Sequence, residues 1–221
     1  MKTNKGLVKY AEMALSEEWG YVWGTWGKVL TQDVLQQKLK QYPSVISRHL
    51  SFIHANWMNK KTADCVGLIK SYVWFDEAAD KLRYDGSTDV NANGMYQRAK
   101  RKGRIATIPE VPGLCVYRQG HIGVYVGGGM VIEAMGTLYG VRKTVLKNRN
   151  FTHWLECPFI KYEKEVIIVA SNTPSSWAVS AQKFVKAKKI SDGTRPKDPV
   201  TREQTWAMLQ SLYRVIKNEI Q

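Results

Sequence analysis

The sequence has few cysteines, few prolines and a marked shortage of acidic residues. Its 221 residues include 3 Cys, 7 Pro and 19 Asp and Glu, against 33 Lys and Arg. An odd number of cysteines excludes a full disulfide framework, and Cys65, Cys115 and Cys157 are too widely spaced for a zinc knuckle. We therefore expect no metal and no cofactor. Cys115, within an apolar stretch, is interpreted as a small core residue.

Long hydrophobic runs are also absent. The longest, residues 166–170, has the length of a strand, whereas a membrane helix needs about 20 apolar residues. The N-terminus is basic, but Glu12, Glu17 and Glu18 occupy the place where a signal peptide has its apolar stretch. These features predict no membrane span and no signal peptide, so we expect synthesis in the cytoplasm.

The excess of basic residues gives a formal net charge of +14 and a pI near 9.7. The charge is spread along the chain, with one dense run formed by Arg98, Lys100, Arg101, Lys102 and Arg104. Such a surface attracts polyanions, whether nucleic acid, anionic lipid or the phosphate-rich polymers of a bacterial wall. No nucleic-acid-binding motif accompanies the charge, so nucleic acid is not an expected partner. For any single cluster, a merely solvated basic face remains the alternative.

Hydrophobic periodicity predicts an α+β fold. Apolar residues recur at helical spacing over residues 6–18, and Thr62 is expected to cap a strongly buried helix that starts beside Cys65. Short apolar runs separated by glycine-rich turns then predict strands over 114–117, 121–126, 130–134 and 139–145. The order indicates a helix followed by an antiparallel sheet.

The composition changes near residue 170, where serine, threonine, asparagine and proline replace apolar residues. We therefore predict one domain over residues 1–170 and a smaller unit over 171–221 that contains two amphipathic helices. Two helices alone bury little apolar surface. The smaller unit is expected to lean on the main domain or on a second copy of the chain, which makes a homodimer possible.

Three residues in separate elements supply the parts of a nucleophilic site. Cys65 opens a helix, whose unsatisfied N–H groups and dipole favour a thiolate. His121 begins a strand, and Glu133 lies one glycine-rich hairpin away, so the alternation of strand side chains allows both on one face. A protonated His121 would form an ion pair with the thiolate, and Glu133 would fix the imidazole tautomer. Each residue alone has a structural interpretation, but their occurrence together in this order favours catalysis.

These residues lie in motifs that resemble those of the NlpC-type cell-wall cysteine peptidases. The motifs are Asp64-Cys65-Val66-Gly67-Leu68, Pro112-Gly113-Leu114, Gly120-His121-Ile122-Gly123-Val124-Tyr125-Val126-Gly127 and Ile132-Glu133-Ala134. Upstream, Tyr21-Val22-Trp23-Gly24 resembles the family's Tyr-x-x-Gly element, which implies that Tyr21 lies beside the nucleophile and helps to shape the oxyanion site. The resemblance covers roughly residues 6–160 and implies a reduced papain-like fold.

The sequence departs from the family pattern at three places. Val66 stands where serine usually follows the nucleophile, and Glu133 stands where His, Asn or Gln is common. The segment 25–61 is long, so we expect an insertion that shapes the substrate groove.

The C-terminal unit resembles a single S-layer homology repeat. The resemblance is carried by Ser176-Trp177-Ala178, Lys189-Ile190-Ser191-Asp192-Gly193 and Pro199-Val200-Thr201-Arg202-Glu203-Gln204. It implies binding of anionic secondary wall polymers, with Trp177 and Arg202 as candidate contacts. Self-association and a purely structural role remain open.

The resemblances together imply a peptidoglycan hydrolase similar to a phage endolysin. The expected reaction is hydrolysis of stem-peptide amide bonds in Gram-positive walls, typically between γ-D-glutamate and the diamino acid. Without a signal peptide, the protein would reach the wall through a holin-type pore or another route. Two alternatives stay open: an N-acetylmuramoyl-L-alanine amidase on the same scaffold, and an inactive wall-binding protein.

Overall fold

The computed structural model describes residues 2–163, 174–194, 200 and 202–219. The chain divides into two compact units, Met1–Glu163 and Lys164–Gln221. The predicted boundary between residues 170 and 171 lies outside the described residues. Within the described part of the chain, no helix is both long and apolar enough to cross a bilayer.

In the part of the chain that the structure describes, six α-helices belong to the first unit and two to the second. They are α1 (Asn4–Ser16), α2 (Gln32–Gln41), α3 (Pro43–Ile46), α4 (Leu50–Asn56), α5 (Cys65–Trp74), α6 (Ala92–Arg98), α7 (Val179–Ala187) and α8 (Arg202–Glu219). The N-cap side chain of α1 is Thr3 and that of α2 is Thr31, and each accepts a hydrogen bond from a first-turn N–H. Pro43 stands at the first position of α3, where its missing N–H costs nothing.

All ten strands seen in the described residues lie in the first unit. They are β1 (Trp26–Val29), β2 (Lys61–Ala63), β3 (Phe75–Asp76), β4 (Lys81–Leu82), β5 (Lys102–Arg104), β6 (Cys115–Arg118), β7 (His121–Gly127), β8 (Met130–Gly136), β9 (Gly140–Val145) and β10 (His153–Leu155). The main sheet has the order β5-β10-β6-β7-β8-β9, and every neighbouring pair in it is antiparallel.

The β7–β8 hairpin is the tight turn on which the predicted site depends. Gly128 and Gly129 have φ of 58° and 71°. Positive φ at both central residues is the type I′ geometry that joins two antiparallel strands and strongly favours glycine.

The main core lies between the helices α1 and α5 and one face of the sheet. Leu7, Ile69, Ile122 and Ile132 are completely buried there. The opposite face carries a second cluster that includes Leu114, Val116, Tyr125, Val131 and Phe151. The predicted α+β arrangement, with the Cys65 helix packed on an antiparallel sheet, is confirmed.

Residues of the predicted insertion, together with Val22 before it, form a separate small core. It contains Val22, Leu30, Leu35, Ile46, Ile53 and Trp57. The indole N–H of Trp57 donates to the carbonyl of Thr137 at 2.7 Å, which ties this segment to the turn between β8 and β9.

Candidate active site

Asp64, and not Thr62, caps the helix that begins at Cys65. Its Oδ1 accepts from the Gly67 N–H at 2.6 Å, and its Oδ2 accepts from the Gly24 N–H at 2.9 Å. The prediction that Thr62 caps this helix is therefore wrong, because Thr62 pairs with Lys28 in the β1–β2 ladder. Among the described residues its buried hydroxyl has no hydrogen-bond partner. Asp64 thus joins the Tyr-x-x-Gly segment to the first turn of α5.

Gly67 allows the helix to approach the preceding segment closely. A Cβ added there would lie 2.0 Å from the Thr25 carbonyl oxygen, far inside any van der Waals contact. The first turn of α5, and with it Cys65, is therefore placed against residue 25 only because residue 67 has no side chain.

The Cys65 thiol lies at the end of the sheet where β7 begins. Its Sγ is 3.9 Å from the Gly120 carbonyl oxygen, to which the thiol donates. Burial, followed by the charge of Asp64, raises the pKa of Cys65 to about 12, although the N–H groups of Ile122, Val66 and Cys65 itself favour the thiolate. The resting group is thus a neutral thiol.

The predicted thiolate–imidazolium pair is not formed in this structure. Among the described residues, no hydrogen bond joins Cys65 and His121.

His121 and Glu133 meet on one face of the sheet, as the strand alternation predicted. The His121 Nε2 and the Glu133 Oε2 are 2.6 Å apart, and both side chains are buried. Because Tyr125 pairs with Val131, counting along the strands places Glu133 opposite Gly123. A Cβ at Gly123 would lie 3.1 Å from the Cβ of Glu133 and 2.8 Å from Val131, so its absence leaves room beside the carboxylate.

Three donors hold the Glu133 carboxylate. Besides His121, Arg149 donates through Nε to Oε1 at 2.7 Å and through Nη2 to Oε2 at 2.9 Å, and the Thr144 hydroxyl donates to Oε1 at 2.7 Å. Burial disfavours the charge, but these hydrogen bonds outweigh it and lower the pKa of Glu133 to about 2. A carboxylate only accepts, so the proton in its bond with His121 lies on Nε2. A neutral ring then has its free lone pair on Nδ1.

Two aromatic side chains border the site. Phe151 stacks on the His121 ring, with centroids 5.8 Å apart and planes inclined by 17°. Tyr21 is buried near Cys65. Burial, with smaller contributions from Cys65 and Asp64, raises the pKa of its phenol, which therefore stays protonated and able to donate.

Asn93 is a site residue that the sequence analysis missed. Its Oδ1 accepts from the Gly120 N–H at 2.8 Å and from the Tyr117 hydroxyl at 3.0 Å. Gly120 is the residue whose carbonyl faces the thiol, and it has φ of 76°. Asn93 thus fixes the turn that leads into His121. The signal in the sequence was Asn91, a good N-cap residue, whose side chain accepts from the Gly94 N–H at the start of α6.

A cleft of about 640 Å³ opens above the thiol, and Cys65, Asp64, Asn93 and Gly120 line it. The predicted insertion supplies a large part of the rest: Trp26, Lys28, Val34, Gln37, Lys38, Gln41 and Tyr42. The insertion therefore does shape the groove beside the candidate nucleophile.

The two candidate wall-binding residues lie in the second unit. Trp177, in a 3₁₀ turn over Ser176–Ala178, has 84% of its surface exposed. Arg202 is the first residue of α8 and is exposed. Pro199 and Thr201 of the S-layer-like signature lie outside the described residues. Within the described ranges, no group of three or more His, Cys, Asp or Glu side chains is arranged to hold a metal ion.

Comparison with known proteins gives likeness to solved structures only. No family model matches the chain, and no curated protein sequence matches it. NlpC2 from Trichomonas vaginalis is similar over 71% of this chain and 47% of its own, at 16% identity and a TM-score of 0.41. The chain thus spans under half the length of that protein.

Two mycobacterial structures are similar to the same extent. The P60 domain of an antigen from M. avium subspecies paratuberculosis is matched over 72% of this chain and 98% of its own, at 17% identity and a TM-score of 0.40. The peptidoglycan hydrolase RipB from Mycobacterium tuberculosis is matched over 72% and 67%, also at 17% identity and a TM-score of 0.40.

Proposed function

We propose that this protein is a peptidoglycan hydrolase, a cysteine peptidase that cleaves amide bonds of wall stem peptides. The observation that carries the proposal is the buried His121–Glu133 pair, 2.6 Å apart, which directly follows Gly120, the residue whose carbonyl accepts from the Cys65 thiol at the N-terminus of α5. A nucleophile, a base and an oriented carboxylate in one place are the parts that acyl transfer needs.

The reaction starts from the Cys65 thiol, with His121 as the base. As the Cys65 sulfur bonds to the substrate carbonyl carbon, its proton passes to Nδ1 of His121, and Glu133 stabilises the imidazolium without accepting the proton. Backbone N–H groups at Cys65 and Val66 and the Tyr21 hydroxyl stabilise the oxyanion. His121 then protonates the leaving amine as the C–N bond breaks, and water hydrolyses the thioester.

The bond between γ-D-glutamate and the diamino acid is the proposed target, in Gram-positive walls and with an endolysin-like role. Support comes from the motif resemblance around Cys65, His121 and Glu133. An amidase acting at N-acetylmuramoyl-L-alanine would use the same three residues. Mass spectrometry of digested peptidoglycan separates the two reactions, since the first exposes a new diamino-acid amine and the second a new L-alanine amine.

The nucleophile is tested by Cys65→Ala. We expect this variant to keep its circular dichroism spectrum and melting temperature and to lose release of wall peptides, because no other described thiol lines the cleft. Cys157→Ala removes a buried thiol elsewhere and should retain lysis. Undiminished peptide release by Cys65→Ala would falsify the proposal.

The second unit is proposed to associate with anionic wall polymers, with Trp177 and Arg202 as contacts. The high exposure of the Trp177 side chain, at 84%, and the net charge of +14 support this role. The inactive Cys65→Ala protein provides the assay: it should sediment with purified walls, and less so after the polymers are extracted. Equal sedimentation with walls before and after the polymers are extracted would favour the dimerisation role. Analytical ultracentrifugation measures dimerisation directly.

A further inference from the structure

The cleft wall formed by β1 and α2 carries two lysines that form no ion pair with any described residue. The Lys28 ammonium lies 4.5 Å from the centroid of the Trp26 ring, and the Lys38 ammonium donates to the Gln41 side-chain oxygen at 2.9 Å. Within the described ranges, neither forms an ion pair. Both line the same cleft as Cys65.

The other charges of the cleft are already satisfied. Lys70 forms an ion pair with Asp89 at 2.5 Å, and Asp89 also accepts from the Tyr84 hydroxyl at 2.9 Å. Asp64 accepts hydrogen bonds from the backbone N–H groups of Gly67 and Gly24. The charged side chains that line the cleft, Lys28, Lys38, Lys70, Asp64 and Asp89, therefore sum to one excess positive charge, and the two lysines without an ion pair to any described residue are both on the insertion.

Lys38 is not a freely solvated surface cation. It is only half-exposed, and its burial lowers the pKa of the ammonium group, against the opposing charges of Asp64 and Asp89. A cation that has lost part of its water gains more from an anionic partner than a fully hydrated one does. The site thus favours an anion arriving with a ligand.

Aromatic rings flank these cations. Trp23, Trp26, Tyr42 and Tyr84 line the cleft, and 58% of Tyr84 and 39% of Trp23 are exposed. Flat apolar walls with a few placed charges suit a peptide backbone that carries a small charged group. A bulky, highly charged polymer would leave these rings unused.

We propose that Lys28 and Lys38 form a carboxylate-binding subsite, so that the enzyme takes peptides with a free carboxylate close to the scissile amide. This inference rests on the proposed function, because it names the substrate class of the same site. A peptide with the corresponding carboxamide would lose the charge-assisted hydrogen bonds and be a poorer substrate.

Two synthetic stem peptides that differ only in this group provide the test. One carries the free α-carboxylate of its γ-linked glutamyl residue, and the other carries the α-carboxamide. We expect the native enzyme to prefer the acid by about tenfold in kcat/KM, the ratio that corresponds to one charge-assisted hydrogen bond. Lys28→Gln and Lys38→Gln should each reduce this preference through KM, and the double variant should abolish it.

Lys40→Gln is the matched control, since Lys40 lies on the same helix, is exposed and does not line the cleft. Lys40→Gln also removes one positive charge from α2, and this variant should still prefer the acid peptide to the amide. Equal kcat/KM for the two peptides in the native enzyme would overturn the subsite, as would a preference that persists in Lys28→Gln/Lys38→Gln.

Binding separates this inference from the proposed function. Calorimetry with the Cys65→Ala protein should show the acid peptide binding about tenfold more tightly than the amide, and the two lysine substitutions should remove the difference. If the native enzyme cleaves neither peptide, the proposed function fails, while the calorimetric comparison still decides the subsite. Equal affinity of the two peptides in that experiment refutes it.

Discussion

The charges around Glu133 and the charges along α2 are arranged in opposite ways. Glu133 is completely buried and takes hydrogen bonds from His121, Arg149 and Thr144. Lys28 and Lys38 stand in an open cleft, and within the described residues no carboxylate pairs with them.

The difference separates two tasks. A carboxylate that orients a base must be fixed before the substrate arrives, so its partners belong to the protein. A cation that selects a substrate must stay unneutralised, so its partner comes with the ligand. Substitutions should therefore strongly affect folding at Glu133, and substrate recognition at Lys28 and Lys38.

Glu133→Gln should give the largest effect on stability. The glutamine amide would place its own N–H groups against these donors and leave the partly buried Arg149 without its counter-ion. We expect a cost of about 3 kcal/mol in the free energy of unfolding. Turnover should also fall, because the His121 tautomer is no longer fixed. Urea denaturation and a peptide-release assay measure both effects.

Glu110→Gln is the control for that substitution. Glu110 also accepts hydrogen bonds, from the Tyr125 hydroxyl and the Gly128 N–H, but it is exposed. Its replacement should cost under about 1 kcal/mol. Similar losses for Glu133→Gln and Glu110→Gln would contradict the contrast between buried and exposed charge.

Lowering the pH should remove the stabilisation that the ionised Glu133 carboxylate gives the native protein. The pKa of Glu133 is lowered from 4.5 to about 2 in the folded state, so the folded protein holds this group ionised more firmly than the unfolded chain does. Its contribution is present above pH 4.5 and is lost as the pH falls through about 2. This pKa shift corresponds to roughly 3 kcal/mol in the free energy of unfolding.

Denaturation curves between pH 5 and 2 measure this loss. Other carboxylates also titrate over this range, so the comparison is between the native protein and Glu133→Gln. The native protein should show the steeper fall in stability. Parallel curves would show that Glu133 does not contribute.

Arg149→Met should have a smaller effect of about 2 kcal/mol. It removes two hydrogen bonds to Glu133 but leaves those from His121 and Thr144. Arg142 provides the comparison, because it pairs with Glu133 in the β8–β9 register yet is exposed. Arg142→Met should keep both stability and kcat, and an equal loss in the two variants would show that Arg149 has no special part in holding the carboxylate.

The pairing of His121 with Glu133 could be predicted because strand alternation and hairpin length are local properties. Two glycines with positive φ set the turn, and the period of two then puts both side chains on one face. Arg149 could not be found in this way. It follows a 3₁₀ turn after β9, where no periodicity relates its position to that of Glu133.

The cap of α5 shows how tertiary structure decides between two suitable residues. Thr62 and Asp64 are both good N-cap residues, and sequence alone does not choose between them. Pairing of β1 with β2 places Thr62 in a strand, so the helix begins two residues later than Thr62 would allow. The neutral state of Cys65 was missed for a related reason, since the helix N-terminus suggested a thiolate while its burial depends on the folded surroundings.

The segment that forms the groove wall can be exchanged without disturbing the main core, because it has a hydrophobic core of its own. This core contains Leu30, Leu35, Ile46, Ile53 and Trp57. This segment has its own hydrophobic interior, while the imidazole and its carboxylate are held by strands and by Arg149 outside it. Exchanging residues 30–57 for a differently charged loop would therefore change the ligands that the cleft accepts. The His121–Glu133 pair would keep its present geometry.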